Sequence, residues 1–416
     1  MRDFGALRTC TSVHPSWWRG QDLNLRPSGY EPDELPHCST PHRHPSDAPC
    51  VPQPGDEVPA RFEQRRNRGQ DVVMKISTTI GFDGDPQRLV QQAKDFESAG
   101  VDLLWGAEIY GYDLVSTLAY IAANTERVEL MTGIIPLYSR SPALIAQTAA
   151  TLDALSDGRF VLGLGTSGPQ VIEGWHGVPF EKPMARTRDT IDICRKVWSG
   201  DKVTHDGKAY SLPYDGGTGL GKPLKFMNRP PVRDIPISIA SIGPKNVELT
   251  AEVADIWQTI HFVPDRFEQV WGEALKTGLA KRDPEKKPLE IIAGQFVAIG
   301  KGDHIQEARD AARGLIGFYV GGMGAKTKNF YNDLFKRYGW EEEAEEIQDL
   351  FLSGKRMEAF AAVPEEYIDL SALIGDEGFV RERIQVFKEV GVTHLNVSPI
   401  GPDPLKQIEM IKAWSE

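Results

Sequence analysis

Arg159–Phe180 reads RFVLGLGTSGPQVIEGWHGVPF. Its opening, RFVLGLG, has the unbroken apolar run of a strand covered on both faces, as a parallel sheet requires. Gly163, Gly165 and Gly168 then remove side chains where the strand runs out. The expectation is a glycine turn, TSGP, whose backbone N–H groups approach an anion, followed by an aromatic-rich loop, EGWHG.

The same glycines spell G-x-G-x-x-G, the dinucleotide fingerprint. That fingerprint belongs after the first strand of a unit, opening a helix, with an acidic residue about twenty positions on. Here three strand–helix pairs come first, GWHGVPFEKP cannot open a helix, and the next strand waits until about Ile237. The dinucleotide reading is set aside.

Working outward, short apolar strands alternate with amphipathic helices. Strands are expected at Lys75–Gly81, Val101–Ala107, Val128–Ile135, Arg159–Gly165, Ile235–Ser241, Ala254–Ile260, Leu289–Gly300 and Thr393–Pro399. Asp201–Pro231 reads as an insertion with a hairpin around His205-Asp206-Gly207. Gly321–Asp369 reads as a helical insertion. Eight such repeats predict an α/β fold, a TIM (β/α)₈ barrel with insertions, with active residues just beyond the strand ends.

The chain has 416 residues, 40% of them hydrophobic and 25% charged, enough for a large core. The net charge of −12 argues against nucleic-acid binding, and no apolar run is long enough for a membrane span. Cys194 is the one cysteine beyond residue 73, which fits a reducing cytoplasm. No HExxH, CxxC pair, Walker lysine or G-x-S-x-G elbow occurs, so no metal is expected. Residues 1–73 hold ten prolines and no lysine. They are expected to be a disordered extension from a start called too early, with Met74 beginning the folded domain, 74–416.

At the strand ends, Glu108 follows strand two and could anchor a ligand or supply a proton. Gly133, at the end of strand three, suggests a bulge or close ligand approach. Thr166, Ser167 and Gly168 follow strand four, with Trp175 and His176 in the loop beyond. Ser241, Gly243 and Lys245 form a second glycine turn at a helix start. Two such turns suggest a phosphate-bearing ligand.

The segments WGAEIYGYD, TLDALSDGRFVLGLGTSGPQVIEGW, GPKNVELTAEVAD and GFYVGGMGAKTKNFY are similar to those of the luciferase-like coenzyme F420-dependent oxidoreductases. Within that family the chain resembles mycobacterial and other actinobacterial reductases, and methylenetetrahydromethanopterin reductase. The resemblance implies coenzyme F420, or alternatively FMN, at the strand mouths. It implies a cis peptide at Gly133–Ile134 against the ring. Thr166, Ser167, Gly168, Ser241, Gly243 and Lys245 would hold the phosphate and tail, and Glu108 would contact the ring. The catalytic His and Glu of the family's sugar-phosphate dehydrogenases do not carry over, because Ile109 and Gly168 stand there. Glu108 or His176 is then the expected proton source, with Tyr110, Trp175 and His176 on the substrate side. The expected reaction moves a hydride between reduced deazaflavin and a C=C, C=N or C=O bond of a small molecule. An FMN-dependent monooxygenase and a non-catalytic flavin-binding protein are the rival readings. A homodimer is expected.

Overall fold

The computed structural model describes residues 73–231, 233–324 and 326–416, so the expectation for the N-terminal extension lies outside the described residues. The strands, in chain order, are β1 (Lys75–Thr79), β2 (Leu103–Gly106), β3 (Glu129–Thr132), β4 (Ile135–Pro136), β5 (Phe160–Gly165), β6 (His205–Asp206), β7 (Ser211–Leu212), β8 (Ile237–Ala240), β9 (Ile256–Gln258), β10 (Glu290–Ala293), β11 (Phe296–Ile299), β12 (Leu373–Gly375), β13 (His394–Asn396) and β14 (Ser398–Pro399).

Eight of these close into a ring of parallel strands, β1-β2-β3-β5-β8-β9-β10-β13 and back to β1. Leu103, Met131, Val161, Ile256 and Ile292, from five different strands, fill its interior beside Trp105. Inward side chains from several strands meeting in layers make such a barrel a packed core rather than a pore. The helices outside it start where the sequence supplies a cap. Asp85 accepts from Gln87 and Arg88 N–H to start Pro86–Ser98, and Ser141 accepts from Leu144 N–H to start Pro142–Leu155.

Closure explains two glycines differently from the expectation. A Cβ on Gly163 would overlap the Thr132 carbonyl, and one on Gly165 would press on the Ile134 side chain. The Gly163 N–H already donates to Thr132 Oγ1 at 2.8 Å. Gly163 lets β3 and β5 approach and its N–H is not presented to an anion, while Gly165 makes room for Ile134.

The expected seventh and eighth strands each divide. Leu289–Gly300 becomes β10 and β11, and Thr393–Pro399 becomes β13 and β14. β10 and β13 stay in the ring, while β11 pairs with β12 and β14 in a separate three-stranded parallel sheet. The division falls at Gly294, whose φ is +110° and whose Cβ would meet the Asn396 carbonyl at 2.6 Å. β12 carries no sequence signal of its own, being three residues between helices. The hairpin at His205–Leu212 forms as expected, with β6 and β7 antiparallel. The second insertion is helical: Phe330–Arg337, Glu341–Leu352, Arg356–Ala361 and Glu365–Ser371.

Candidate active site

β2 ends at Gly106, and the chain turns at once toward β3. Gly133 N–H donates to Gly106 O at 2.6 Å, and Glu108 N–H to Ile134 O at 3.4 Å. The Gly133–Ile134 peptide is cis. Gly133 faces the Trp105 ring and the Gln258 amide, so no side chain fits there. The Trp105 indole donates to Asn396 Oδ1 at 2.8 Å, which links the ends of β2 and β13.

Glu108 is 9% exposed and does not stand alone. Both its oxygens accept from Arg140: Nη1 on Oε1, and Nη2 on Oε2 at 2.9 Å. Arg140 Nη2 also reaches Asp113 Oδ1 at 2.9 Å, and Ser139 Oγ lies 3.4 Å from Glu108. Burial works against the Arg140 charge, but the two carboxylates outweigh it and hold the guanidinium above its ordinary range. Asp113 is held below its ordinary range. Burial opposes this, and hydrogen bonds from Ser116 and the charge of Arg140 prevail. A carboxylate gripped at both oxygens by a planar guanidinium is an acceptor fixed in place. Arg140 follows strand three at a spacing that single-sequence reading cannot tie to Glu108; only ring closure brings them together.

After β5 the glycine turn opens a short helix, Pro169–Gly174, directly from Gly168, where an irregular loop was expected. Ser167 is left-handed, φ +56°, and Thr166 Oγ1 donates to Ser167 O at 3.3 Å. No side chain caps the helix at Gly168. Trp175 ends that helix and meets Tyr110 from the β2 loop, ring centroids 6.3 Å apart, so the two expected substrate-side aromatics are neighbours. His176 Nε2 is buried without a partner.

After β8 the pattern repeats. Gly243 starts Pro244–Val253 with no side-chain cap, open space beside its Cα, and Lys245 exposed. Ser241 serves differently from expectation: its hydroxyl lies 2.8 Å from Thr250 Oγ1, and its carbonyl accepts from the Trp257 indole at 2.9 Å. A residue the sequence reading missed joins this turn. Arg337, from the helical insertion, donates through Nη2 to Ile242 O at 2.6 Å, and its Nη1 is buried without a partner. Burial lowers its pKa.

Among the described residues, buried polar atoms lack partners at His176 Nε2 after β5, at Asn246 Oδ1 in the helix after β8, at Gln258 Oε1 in β9, at His261 Nε2 just after it, and at Arg337 Nη1, whose neighbouring nitrogen bonds Ile242 after β8. Buried groups of this kind are normally satisfied, and a polar ligand is one way to satisfy them. A cavity of about 10 Å³ beside His261, Gln295, Tyr367 and Ser371 has room for roughly one water and is not that ligand's seat. Among the described residues no group of His, Cys, Asp and Glu is arranged for a metal ion. No helix among them is long and apolar enough to cross a membrane.

Comparison with known proteins agrees with the fold. Residues 61–394 match the sequence profile of the luciferase-like monooxygenases. A Mycobacterium tuberculosis protein, named provisionally as a coenzyme F420-dependent oxidoreductase, is 40% identical over 332 residues, covering 78% of this chain and 95% of that one. The 5,10-methylenetetrahydromethanopterin reductase of Archaeoglobus fulgidus is 32% identical over 323 residues, 76% of this chain and 90% of that one. The structure of the coenzyme F420-dependent tetrahydromethanopterin reductase of Methanopyrus kandleri superposes with a TM-score of 0.66 at 24% identity, covering 82% of this chain and 98% of that one, and so shares the fold. With its parallel eight-strand ring and a profile match over most of its length, this chain belongs to the luciferase-like monooxygenase family of enzymes.

Proposed function

We propose that the chain is a reductase that takes coenzyme F420 at the carboxyl ends of its barrel strands. It would exchange a hydride with an activated C=C, C=N or C=O bond of a small organic molecule. The observation that carries this reading is the set of unpartnered buried polar atoms in and just after β5, β8 and β9, with Arg337 held at the β8 turn. The names of the two relatives above 30% identity support the choice of coenzyme.

When bound, the deazaflavin supplies the hydride through C5 of its ring. The rest falls to the chain's own residues. Gly243, Lys245 and Arg337 would hold the phosphate at the start of Pro244–Val253, where the helix dipole favours an anion. Thr166, Ser167 and Gly168 offer a second anion-receptive turn one strand away. The Glu108–Arg140 pair would orient the ring edge with a fixed acceptor. His176, with a free ring nitrogen at the mouth, would hold the proton that accompanies the hydride. Glu108→Gln should then lower kcat about tenfold or more while the coenzyme Kd changes little; unchanged kcat would remove Glu108 from the mechanism.

The deciding measurement is fluorescence titration of the purified protein with F420 and, separately, with FMN. Micromolar binding of F420 and weaker binding of FMN is the expected result. Tight FMN binding with oxygen uptake would replace this reading by a flavin monooxygenase. Absence of both would leave the family's non-catalytic members as the better parallel. The protein would form a homodimer, which light scattering checks.

A further inference from the structure

Beyond β9 the chain turns through His261, whose backbone is left-handed at φ +54°. Its carbonyl accepts from two buried phenols, Tyr338 at 3.0 Å and Tyr367 at 3.3 Å, which fixes the residue in place. Its ring is buried and meets two further tyrosines edge-on: Tyr319 at 5.0 Å and Tyr331 at 5.7 Å between centroids. Those two rings are themselves T-shaped at 4.7 Å. Among the described residues His261 Nε2 is buried without a partner, while the Tyr319 and Tyr331 hydroxyls are not among the sealed, unpaired atoms. Three rings on three different segments thus meet around one buried nitrogen that has no partner.

We infer that His261, Tyr319 and Tyr331 form the seat for an uncharged carbonyl group on a flat substrate. No ion pair or hydrogen bond joins these rings to a charged side chain among the described residues, so an ionised ligand group would arrive without a counterion, at high cost. A carbonyl oxygen instead accepts phenol O–H bonds without bringing a charge. Burial keeps the groups in the required state. It pushes the His261 imidazole down to about 3, and both phenols above their usual range, so all three are neutral at working pH. Tyr110 packs on Trp175 beside the β5 turn. The edge-on rings of the seat suit a flat molecule. This deepens the reductase reading and rests on it for what the seat is for.

The test uses the full chain and two probes of matched size, cyclohex-2-en-1-one and cyclohex-1-ene-1-carboxylate, titrated by ligand-observed NMR. The neutral ketone should bind at least tenfold more tightly than the carboxylate. Tyr319→Phe and Tyr331→Phe, each checked for an unchanged thermal melt, should weaken ketone binding roughly tenfold, the scale of one buried hydrogen bond. Carboxylate binding as tight as the ketone's, no ketone binding, or phenylalanine variants indistinguishable from the parent would each overturn the seat. The F420 titration is read independently: its failure alongside the expected probe result removes the coenzyme and leaves the seat.

Discussion

On the β2–β3 side of the mouth, Glu108, Arg140 and Asp113 satisfy one another through direct charged contacts. On the β9 side, His261, Tyr319 and Tyr331 meet as rings, and among the described residues His261 Nε2 is left without a partner. The first arrangement resists rearrangement, because any partner lost leaves a largely buried charge behind. The second has bonds still to make, and a ligand can make them. Within one ring of strands, one arc is built to hold still and the other to receive.

The sharpest way to break this contrast is at the rigid arc's foundation. Gly163→Ala would drive a Cβ into the Thr132 carbonyl between β3 and β5, a backbone that cannot yield cheaply. The expected loss is about 3 kcal/mol or failure to fold, read by urea unfolding. Next comes Arg140→Met, which strands Glu108 and should cost about 2 kcal/mol. Adding Glu108→Gln should recover much of that; additive losses in the double-mutant cycle would show that the pair is not coupled.

The receptive arc has a pH signature. His261 is held to about 3 by burial, and His394, at the start of β13, likewise to about 3 by burial and the Lys75 charge. The folded state keeps both rings neutral, whereas the unfolded chain protonates them near 6.5. Stability is therefore complete above about 6.5 and falls as pH drops from there toward 3, by up to roughly 1.4 kcal/mol per pH unit for each ring. His261→Gln should flatten that slope by about half in the pH series of urea midpoints; an unaltered slope would mean that His261 charges freely. The smallest effect is expected at Gly243→Ala, where the Cβ enters open space: about 0.5 kcal/mol or less in the same unfolding assay, against the large loss at Gly163.

Much of the ring was legible in the chain because buried parallel strands leave long apolar runs bounded by helix caps. Phe160–Gly165 and Pro142–Leu155 announce themselves this way. What escaped was whatever depends on segments distant in sequence meeting in space. Gly163 and Gly165 look like ligand glycines until β3 is seen against them. Glu108 looks like a free acid until Arg140 closes on it. Arg337 and Tyr319 carry no local signal, since an arginine or tyrosine in an amphipathic helix reads as an ordinary surface or core residue. The division of β10 from β11 hides in an apolar run that a single longer strand explains equally well.

The fork at Gly294 reaches beyond its own geometry. From there outward, β11, β12 and β14 form an annex that shares only its base with the closed ring, and the helices between β11 and β12 supply Tyr319, Tyr331 and Arg337. A lineage could exchange that annex, and with it the preferred reactant, while leaving the staves that close the cylinder undisturbed. New chemistry could then be auditioned on one flank of the molecule without renegotiating the architecture of the whole.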